Sequence, residues 1–181
     1  VTVKAPAGVY VLDPTHATLQ WSLLHNTISH YTARFDKFEA KLTLDPANLE
    51  NSTITATIDP TSVDAAYPAD YASSHPGSAY SGWNDDMANN PTWLNAKAFP
   101  KMTFVSTSVK KTGARTAKVT GDLTFLGVTK PVTMEVEFNQ AGQTRGGYKA
   151  GFDGEAKIKR SDFGITFGLP ALGDEVELHI E

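Results

Sequence analysis

The sequence predicts an all-β fold, an extended antiparallel β-barrel of about eight strands with one or two short helices. Three observations support this prediction. Apolar and polar residues alternate over most of the chain, which is the pattern of a strand with one buried face. Turn residues separate the alternating segments, and one long stretch, 60–100, lacks the alternation. A two-sheet sandwich has the same local pattern and stays open as an alternative.

The first four predicted strands occupy 9–13, 17–25, 35–45 and 52–59. Each shows apolar residues at every second position and ends in or near a turn that contains Pro or Asn. The segment 26–34 between the second and third strands is polar and weakly patterned, which predicts a bend or a bulge there.

The stretch 60–100 is rich in Pro, Gly, Ser and Asn and also carries several aromatic residues. A segment of this length within a compact domain is usually functional or has short helices of its own. Asp85 and Asp86 suit the first turn of a helix, where the helix dipole favours acidic side chains. We therefore expect one or two short helices here, and we expect 67–93 to lie over one end of the barrel as a gate. A variable surface insertion is the alternative.

The clearest alternation follows, over 119–138, and predicts a β-hairpin. The connector 126–131 contains Gly127, which can adopt positive φ, and Pro131, which can begin a strand but not occupy its middle. The flanking segment 101–111 predicts a strand with Phe104 on one face and Val105 and Val109 on the other. The apolar face of the hairpin consists of Val119, Gly121, Leu123, Phe125, Val132, Met134, Val136 and Phe138.

The last predicted strands are 148–160 and 176–180. Gly151 and Gly154 within the first of them indicate the strong bending that a barrel needs. Together the segments predict a single barrel domain over 9–181, preceded by a flexible segment over 1–8. The small residues of 1–8 are typical of the stretch that follows a removed signal peptide, which predicts export.

Composition excludes several classes of function. The formal net charge of -4, with dispersed Lys and Arg, offers no basic stripe for a nucleic-acid partner. No apolar run approaches the ~20 residues of a membrane-spanning helix, so no transmembrane segment is expected. Because the chain has no cysteine, it has no disulfide, no thiol nucleophile and no thiolate metal site.

The histidines and serines do not form a recognisable catalytic or metal-binding pattern. His16, His25 and His30 are close along the chain, but their spacing is not that of a zinc site, and polar histidines at strand ends are the simpler interpretation. The chain also lacks the G-x-S-x-G elbow of a nucleophilic serine. We therefore predict no catalytic residue, no metal and no cofactor.

Six short motifs identify a family resemblance. In this order along the chain they resemble the YceI-like family of polyisoprenoid-binding proteins, and the similarity covers about 9–180. The segment 67–82 departs from the family pattern and looks like an insertion before a short helix. The motifs are Tyr10–Asp13 with His16, Phe35–Phe38, Ile58 and Asp59 with Ser62 and Val63, Phe99–Phe104, Gly121–Val132 and Arg160–Gly164.

The resemblance implies a lipocalin-like barrel around an elongated apolar pocket for an isoprenoid or similar lipid chain. It also implies a periplasmic location, with the signal peptide already removed. Such a pocket would be lined by apolar residues that share the inward faces of several predicted strands. The lipid-binding residues predicted on this basis are Trp21, Leu23, Phe38, Leu42, Phe104, Phe125 and Phe152.

The leading functional hypothesis is therefore carriage or sequestration of an amphiphilic lipid with a polyisoprenoid chain, such as a polyprenyl lipid or a quinone. Two alternatives stay open. One is an enzyme that acts on a small hydrophobic substrate in the same cavity, with a histidine such as His25 as the base. The other is a stress-response structural protein with a packed barrel. A homodimer is left open.

Overall fold

The computed structural model describes residues 4–181 and shows an all-β protein with two short α-helices, α1 (Tyr71–Ser74) and α2 (Trp83–Asn89). Single 3₁₀ turns lie at Leu49–Asn51, Pro60–Ser62 and Arg160–Phe163. The eleven strands are β1 (Gly8–Val11), β2 (Leu19–His25), β3 (Ser29–Phe35), β4 (Phe38–Leu44), β5 (Thr53–Ile58), β6 (Val63–Asp64), β7 (Met102–Lys111), β8 (Thr116–Phe125), β9 (Val128–Thr144), β10 (Gly147–Lys159) and β11 (Leu172–Ile180).

The strands form one curled antiparallel sheet in the order β1-β4-β5-β7-β8-β9-β10-β11-β2-β3-β6. This arrangement confirms the predicted lipocalin-like antiparallel barrel. The β3–β4 corner brings the two ends of the sheet together, because the Asp36 N–H donates to the Ser62 carbonyl and the Asp59 N–H donates to the Lys37 carbonyl, both over 3.0 Å. Within the described residues, the outermost strands β1 and β6 do not pair with each other.

The N-terminal segment predicted to be flexible, 1–8, is described only from residue 4 onward, so 1–3 lie outside the described residues. Ala5 is buried, and the carbonyl of Lys4 accepts a hydrogen bond of 3.0 Å from the hydroxyl of Tyr148. The described part of this segment therefore packs against β10.

The bend or bulge predicted over 26–34 is limited to a turn at 26–28, because β3 already begins at Ser29. The connector has three residues, 26–28, because His25 pairs with Ser29. Asn26 and Thr27 have φ of 53° and 57°, in the left-handed region, and the Ile28 N–H closes the turn on the His25 carbonyl over 3.1 Å. Ala33 and Phe35 then point inward and are buried. The polar outward residues of β3 hid this alternation in the sequence.

The predicted hairpin over 119–138 is present as β8 and β9, but its connector is shorter than expected. The turn consists of Leu126 and Gly127 alone, both with positive φ, and β9 begins at Val128. Pro131 lies inside β9 opposite Asp122, where a proline was not expected. It is tolerated because the β9–β10 ladder reaches only as far as Met134, so this part of β9 is an edge.

Strand β7 corrects the predicted facing of Val109. A β-bulge between Ser106 and Ser108 adds one residue to the strand, and this shift turns Val109 from the outward face to the inward face. Val109 is accordingly buried, whereas Val105 before the bulge is exposed as expected.

Two groups of buried side chains fill different parts of the barrel. We call the first the packed cluster, and Trp21, Phe38 and Leu123 pack against it from the strands. We call the second the wall cluster, formed by Phe104, Val109 and Val119. Leu123 contacts both clusters and marks their boundary. The packed cluster consists of Phe35, Ile58, Val63, Ala88, Leu94, Met102, Phe125, Phe163 and Ile165.

The stretch 60–100 contains the two expected short helices and closes the barrel at the packed cluster. Ala88 of α2 and Leu94 after it are both buried in that cluster. Helix α1 begins at an Asp70 cap, which accepts a hydrogen bond of 2.8 Å from the Ser73 N–H. The stretch therefore lies over one end of the barrel.

A second segment without strand pattern, 160–171, also helps to close this end. Phe163 and Ile165 are buried in the packed cluster. The guanidinium of Arg160 is buried and donates hydrogen bonds to four backbone carbonyls of this segment and of β11. The acceptors are Gly173 at 2.8 Å, Ile165 at 3.3 Å, Phe167 at 2.8 Å and Leu172 at 2.7 Å.

Candidate functional site

The half of the barrel beyond the wall cluster is hollow. It holds a cavity of about 680 Å³, within the size range of small-molecule sites in proteins. The cavity is walled by β1, β4, β5 and β7–β11, whose alternation turns one side chain inward at every second position. Its main apolar lining residues are Leu42, Leu44, Ile54, Val109, Val119, Met134, Val136, Phe138, Phe152 and Ile180.

Polar residues are gathered at the rim of the cavity. The Lys149 ammonium pairs with the Asp13 carboxylate, and the His16 ring lies 3.0 Å from the same carboxylate. The Arg115 side chain is fixed by the backbone, because it donates to the Phe138 carbonyl over 2.8 Å and to the Asn139 carbonyl. The site therefore combines an apolar interior with a charged rim, an arrangement suited to an amphiphilic molecule.

Electrostatics at the rim favour the paired state of Asp13. The bond from Lys149 is the largest influence that lowers the pKa of the Asp13 carboxyl, and the two bonds from Thr15 lower this pKa further. Farther along the wall, a hydrogen bond with Asp153 raises the pKa of Glu181, whereas the amide of Asn139 lowers the pKa of Asp153. Of these two neighbouring carboxyls, Glu181 therefore keeps its proton more readily than an isolated carboxyl does, and Asp153 less readily.

The structure separates the seven residues predicted to contact a lipid chain. Leu42 and Phe152 line the cavity. Phe104 lies in the wall cluster, where its ring covers Gly121. Phe125 lies in the packed cluster, and Trp21 and Phe38 pack against it. Leu23 pairs with Val176 of β11 and Tyr31 of β3, away from the cavity lining. Their role in lipid binding stays a prediction.

Sequence reasoning did not single out several residues that line the cavity. Met134 and Val136 lie on the apolar face of the predicted hairpin, and Ile54 lies in the predicted strand 52–59, but the selection favoured aromatic residues. The contact between Asp13 and Lys149 gave no signal, because the two residues are 136 positions apart in the sequence and meet only in the fold. Knowledge of which strands face each other is needed to find them.

His25, the base considered for an enzyme, does not line the cavity. It is exposed at the end of β2 and lies 3.1 Å from the amide nitrogen of Asn26. Across residues 4–181, no group of three or more acidic and histidine side chains has an arrangement that could hold a metal ion. Likewise, none of the helices described is long and apolar enough to cross a membrane.

The stretch 60–100 contributes no residue to the cavity among those described. It closes the opposite, packed end of the barrel, where Ala88 and Leu94 are buried. Its predicted position over one end is therefore correct, but that end is not the one that opens to the cavity. A gating role for 67–93 has no geometric basis in this arrangement.

The fold and the cavity together define a lipocalin-like β-barrel with a hollow apolar half. The model of the YceI-like domain matches residues 10–181, and the chain belongs to this family. Protein YceI from Salmonella newport is 36% identical over 182 residues, which cover 99% of this chain and 87% of that protein. A UPF0312 protein from Ectopseudomonas mendocina is 35% identical over 97% of this chain and 86% of its own length.

Solved structures show the same architecture. BcnA from Burkholderia cenocepacia superposes with a TM-score of 0.75 at 28% identity and covers 93% of this chain and 96% of its own. The YceI protein of Campylobacter jejuni gives a TM-score of 0.69 at 28% identity over 86% of this chain and 84% of its own. A polyisoprenoid binding domain from Saccharophagus degradans gives 0.65 at 15% identity over 97% and 96% of the two chains, which shows a common fold.

Proposed function

We propose that this protein binds an amphiphilic lipid with a polyisoprenoid chain, such as a polyprenyl lipid or a quinone, and carries or sequesters it. The hollow apolar half of the barrel is the observation on which the proposal depends. A protein interior is normally packed without large voids, so an apolar cavity of about 680 Å³ is suited to an apolar occupant. The name of the Saccharophagus domain, which shares the fold, is consistent with this class of ligand.

Burial of the chain supplies the binding free energy. At ~0.8 kcal/mol per methylene-sized group, one five-carbon isoprene unit contributes roughly 4 kcal/mol. Micromolar binding needs about 8 kcal/mol, so a few buried units suffice even after the cost of ordering the chain. The apolar wall therefore sets affinity, and the charged rim around Asp13 and Lys149 contacts the polar head.

The packed-barrel alternative and the enzyme alternative lack a comparable observation. The barrel interior is filled at one end only, and the histidine considered as a base lies outside the cavity. We also propose a periplasmic location, as the family resemblance implies. Cell fractionation of a strain that expresses the complete gene tests the location, and recovery in the cytoplasm alone would overturn it.

Mass spectrometry of an organic extract of the purified protein tests the function. We expect a prenyl lipid or quinone in the extract of native protein and its loss after denaturing washes. A matched sample of Phe152→Asp, which places a carboxylate on the cavity wall, should carry less lipid at equal protein concentration. Extracts free of lipid from several expression hosts, with no binding of added prenyl lipid, would contradict the proposal.

A further inference from the structure

The barrel wall has a seam beside the cavity, where two strand edges face each other and, within residues 4–181, do not pair. One edge is β1, the terminal strand of the sheet, and its pairing among the described residues is with β4 alone. The other edge is the first half of β10. The last β10–β11 pair joins Gly154 to Ile180, so Gly147–Asp153 pair with β9 alone in the part of the chain that the structure describes. Residues from both edges line the cavity, which places the seam along its side.

Side chains connect the two edges where a backbone ladder is missing. The hydroxyl of Tyr148 donates to the Lys4 carbonyl over 3.0 Å, and the Lys149 ammonium pairs with the Asp13 carboxylate. Burial raises the pKa of the Tyr10 hydroxyl, and the nearby Tyr148 raises it further, which agrees with close approach of the two edges. Among the described residues, these two contacts are the polar connections between the edges.

These connections are weaker than the ladders elsewhere in the barrel. Lys149 and Asp13 have side chains that are 36% and 30% exposed, and ion pairs with such access to water add little net stability. By contrast, β9 and β10 share ten residue pairs along their length. The two strand edges of the seam can therefore move apart without breaking any strand pairing of the sheet.

We propose that the lipid chain enters and leaves the cavity sideways through this seam. The Asp13–Lys149 pair and the Tyr148–Lys4 bond are the contacts that hold the seam closed. The proposal rests on the proposed lipid-binding function and adds the route. A seam that runs along the cavity admits a long chain along its side, whereas an opening at the rim admits it only end first. The opposite end is filled by the packed cluster and offers no passage.

A reversible bridge across the seam tests the route. The chain has no cysteine, so Asp13→Cys with Lys149→Cys gives a protein in which a bifunctional methanethiosulfonate reagent joins only these two positions. Dissociation of a fluorescent anthraniloyl ester of geranylgeraniol is followed by stopped flow against excess unlabelled alcohol. We expect the bridge to slow dissociation of the probe by an order of magnitude or more, because it holds together the two strand edges between which the chain would leave. The slowing appears in the off-rate, which governs ligand exchange. A reductant should restore the original rate.

The matched control bridges Lys157→Cys with Glu175→Cys. Lys157 lies on β10 like Lys149 and pairs with Glu175 over 2.8 Å, but neither residue lines the cavity. This bridge should leave the dissociation rate unchanged. Without any bridge, Tyr148→Phe should accelerate dissociation several-fold, because it removes the bond to the Lys4 carbonyl across the seam and keeps the aromatic ring and the charged rim. This variant decides the matter if the cysteine pair does not fold.

The outcomes separate the route from the function. If the probe binds but its dissociation rate is the same with the seam bridged and open, and Tyr148→Phe leaves it unchanged, the seam is not the route. If the unbridged protein does not bind the probe at all, the proposed function fails instead. If the Lys157–Glu175 bridge slows dissociation of the probe equally, the effect is a general stiffening of the barrel, and the seam is again not the route.

Discussion

The two halves of this barrel are built from the same strands yet have opposite interiors. In the packed half, segments that are not strands supply much of the filling: Ala88 and Leu94 from 60–100, and Phe163 and Ile165 from the segment after β10. In the hollow half, the described connecting segments line the cavity beside the strands, as Leu49 and Arg115 do, but they do not fill it. The comparison teaches that strand alternation decides which residues face inward, whereas the connecting segments decide whether the interior is filled.

Two phenylalanines test this difference most strongly. Phe125 is buried in the packed cluster and contacts Phe163, with ring centroids 5.4 Å apart. Phe125→Ala should cost about 3–5 kcal/mol of unfolding free energy, because it opens a void in a filled region. The matched change Phe152→Ala only enlarges an existing cavity, so about 1–2 kcal/mol is expected. Urea unfolding measures both, and equal losses would contradict the division into two halves.

Two arginines that both bind backbone carbonyls provide the second comparison. Arg160 is buried and donates hydrogen bonds to four carbonyls at the packed end. Arg160→Met should therefore cost about 3 kcal/mol of unfolding free energy, because several buried acceptors lose their donor. Arg115 at the rim has a side chain that is 42% exposed, and water can replace it. Arg115→Met should cost less than about 1 kcal/mol. Thermal unfolding of the two variants would refute this order if Arg115→Met were the more damaging.

Two glycines give a smaller contrast. A Cβ at Gly121 would lie 2.4 Å from the ring of Phe104 and 2.6 Å from the Val105 carbonyl, so Gly121→Ala should cost about 1–3 kcal/mol. A Cβ at Gly142, on the cavity rim, would have no atom within 4 Å. Gly142→Ala should therefore stay within about 0.5 kcal/mol of the parent protein. A neutral Gly121→Ala in denaturant melts would show that the wall cluster is looser than its packing indicates.

The smallest expected effect concerns the pKa of Asp13. Because the pKa of Asp13 is lower in the folded protein than in the unfolded chain, its pair with Lys149 stabilises the fold fully above the ordinary carboxyl pKa of about 4. This stabilisation is lost only as the pH falls through the lowered pKa. Lys149→Met should move the pKa of Asp13 back up toward the ordinary range, while Lys157→Met leaves it unchanged. Carboxyl NMR titration measures this, and an unaltered pKa in Lys149→Met would mean that the pair does not form in solution.

The sequence was sufficient for most of the strands but not for the contents of the barrel. Alternation identified the inward face of β8 and β9 because each residue reports its own side of the strand. It failed at Val109, where a bulge shifted the alternation by one residue, and at β3, where polar outward residues masked it. The position of the cavity could not be predicted, because it depends on where 60–100 and the segment after β10 fold back.

The same limit applies to the candidate site. Leu42 and Phe152 could be selected from sequence because both are inward apolar residues on predicted strands. Phe125 met the same criterion equally well, yet it packs against Phe163 in the filled half. The contact of Asp13 with Lys149 depends on the approach of two unpaired edges, which no local pattern reports.

The three methionines of this chain allow the most direct test of the central claim, that the lipid chain occupies the hollow half. Met134 lines the cavity, whereas Met102 belongs to the packed cluster and Met87 packs against it. Protein with ¹³C-labelled methionine methyl groups is titrated with geranylgeraniol. The Met134 signal should shift, and its methyl group should give nuclear Overhauser contacts to the prenyl chain. The signals of Met87 and Met102 should not shift. Contacts to Met87 or Met102 with an unshifted Met134 would contradict the account.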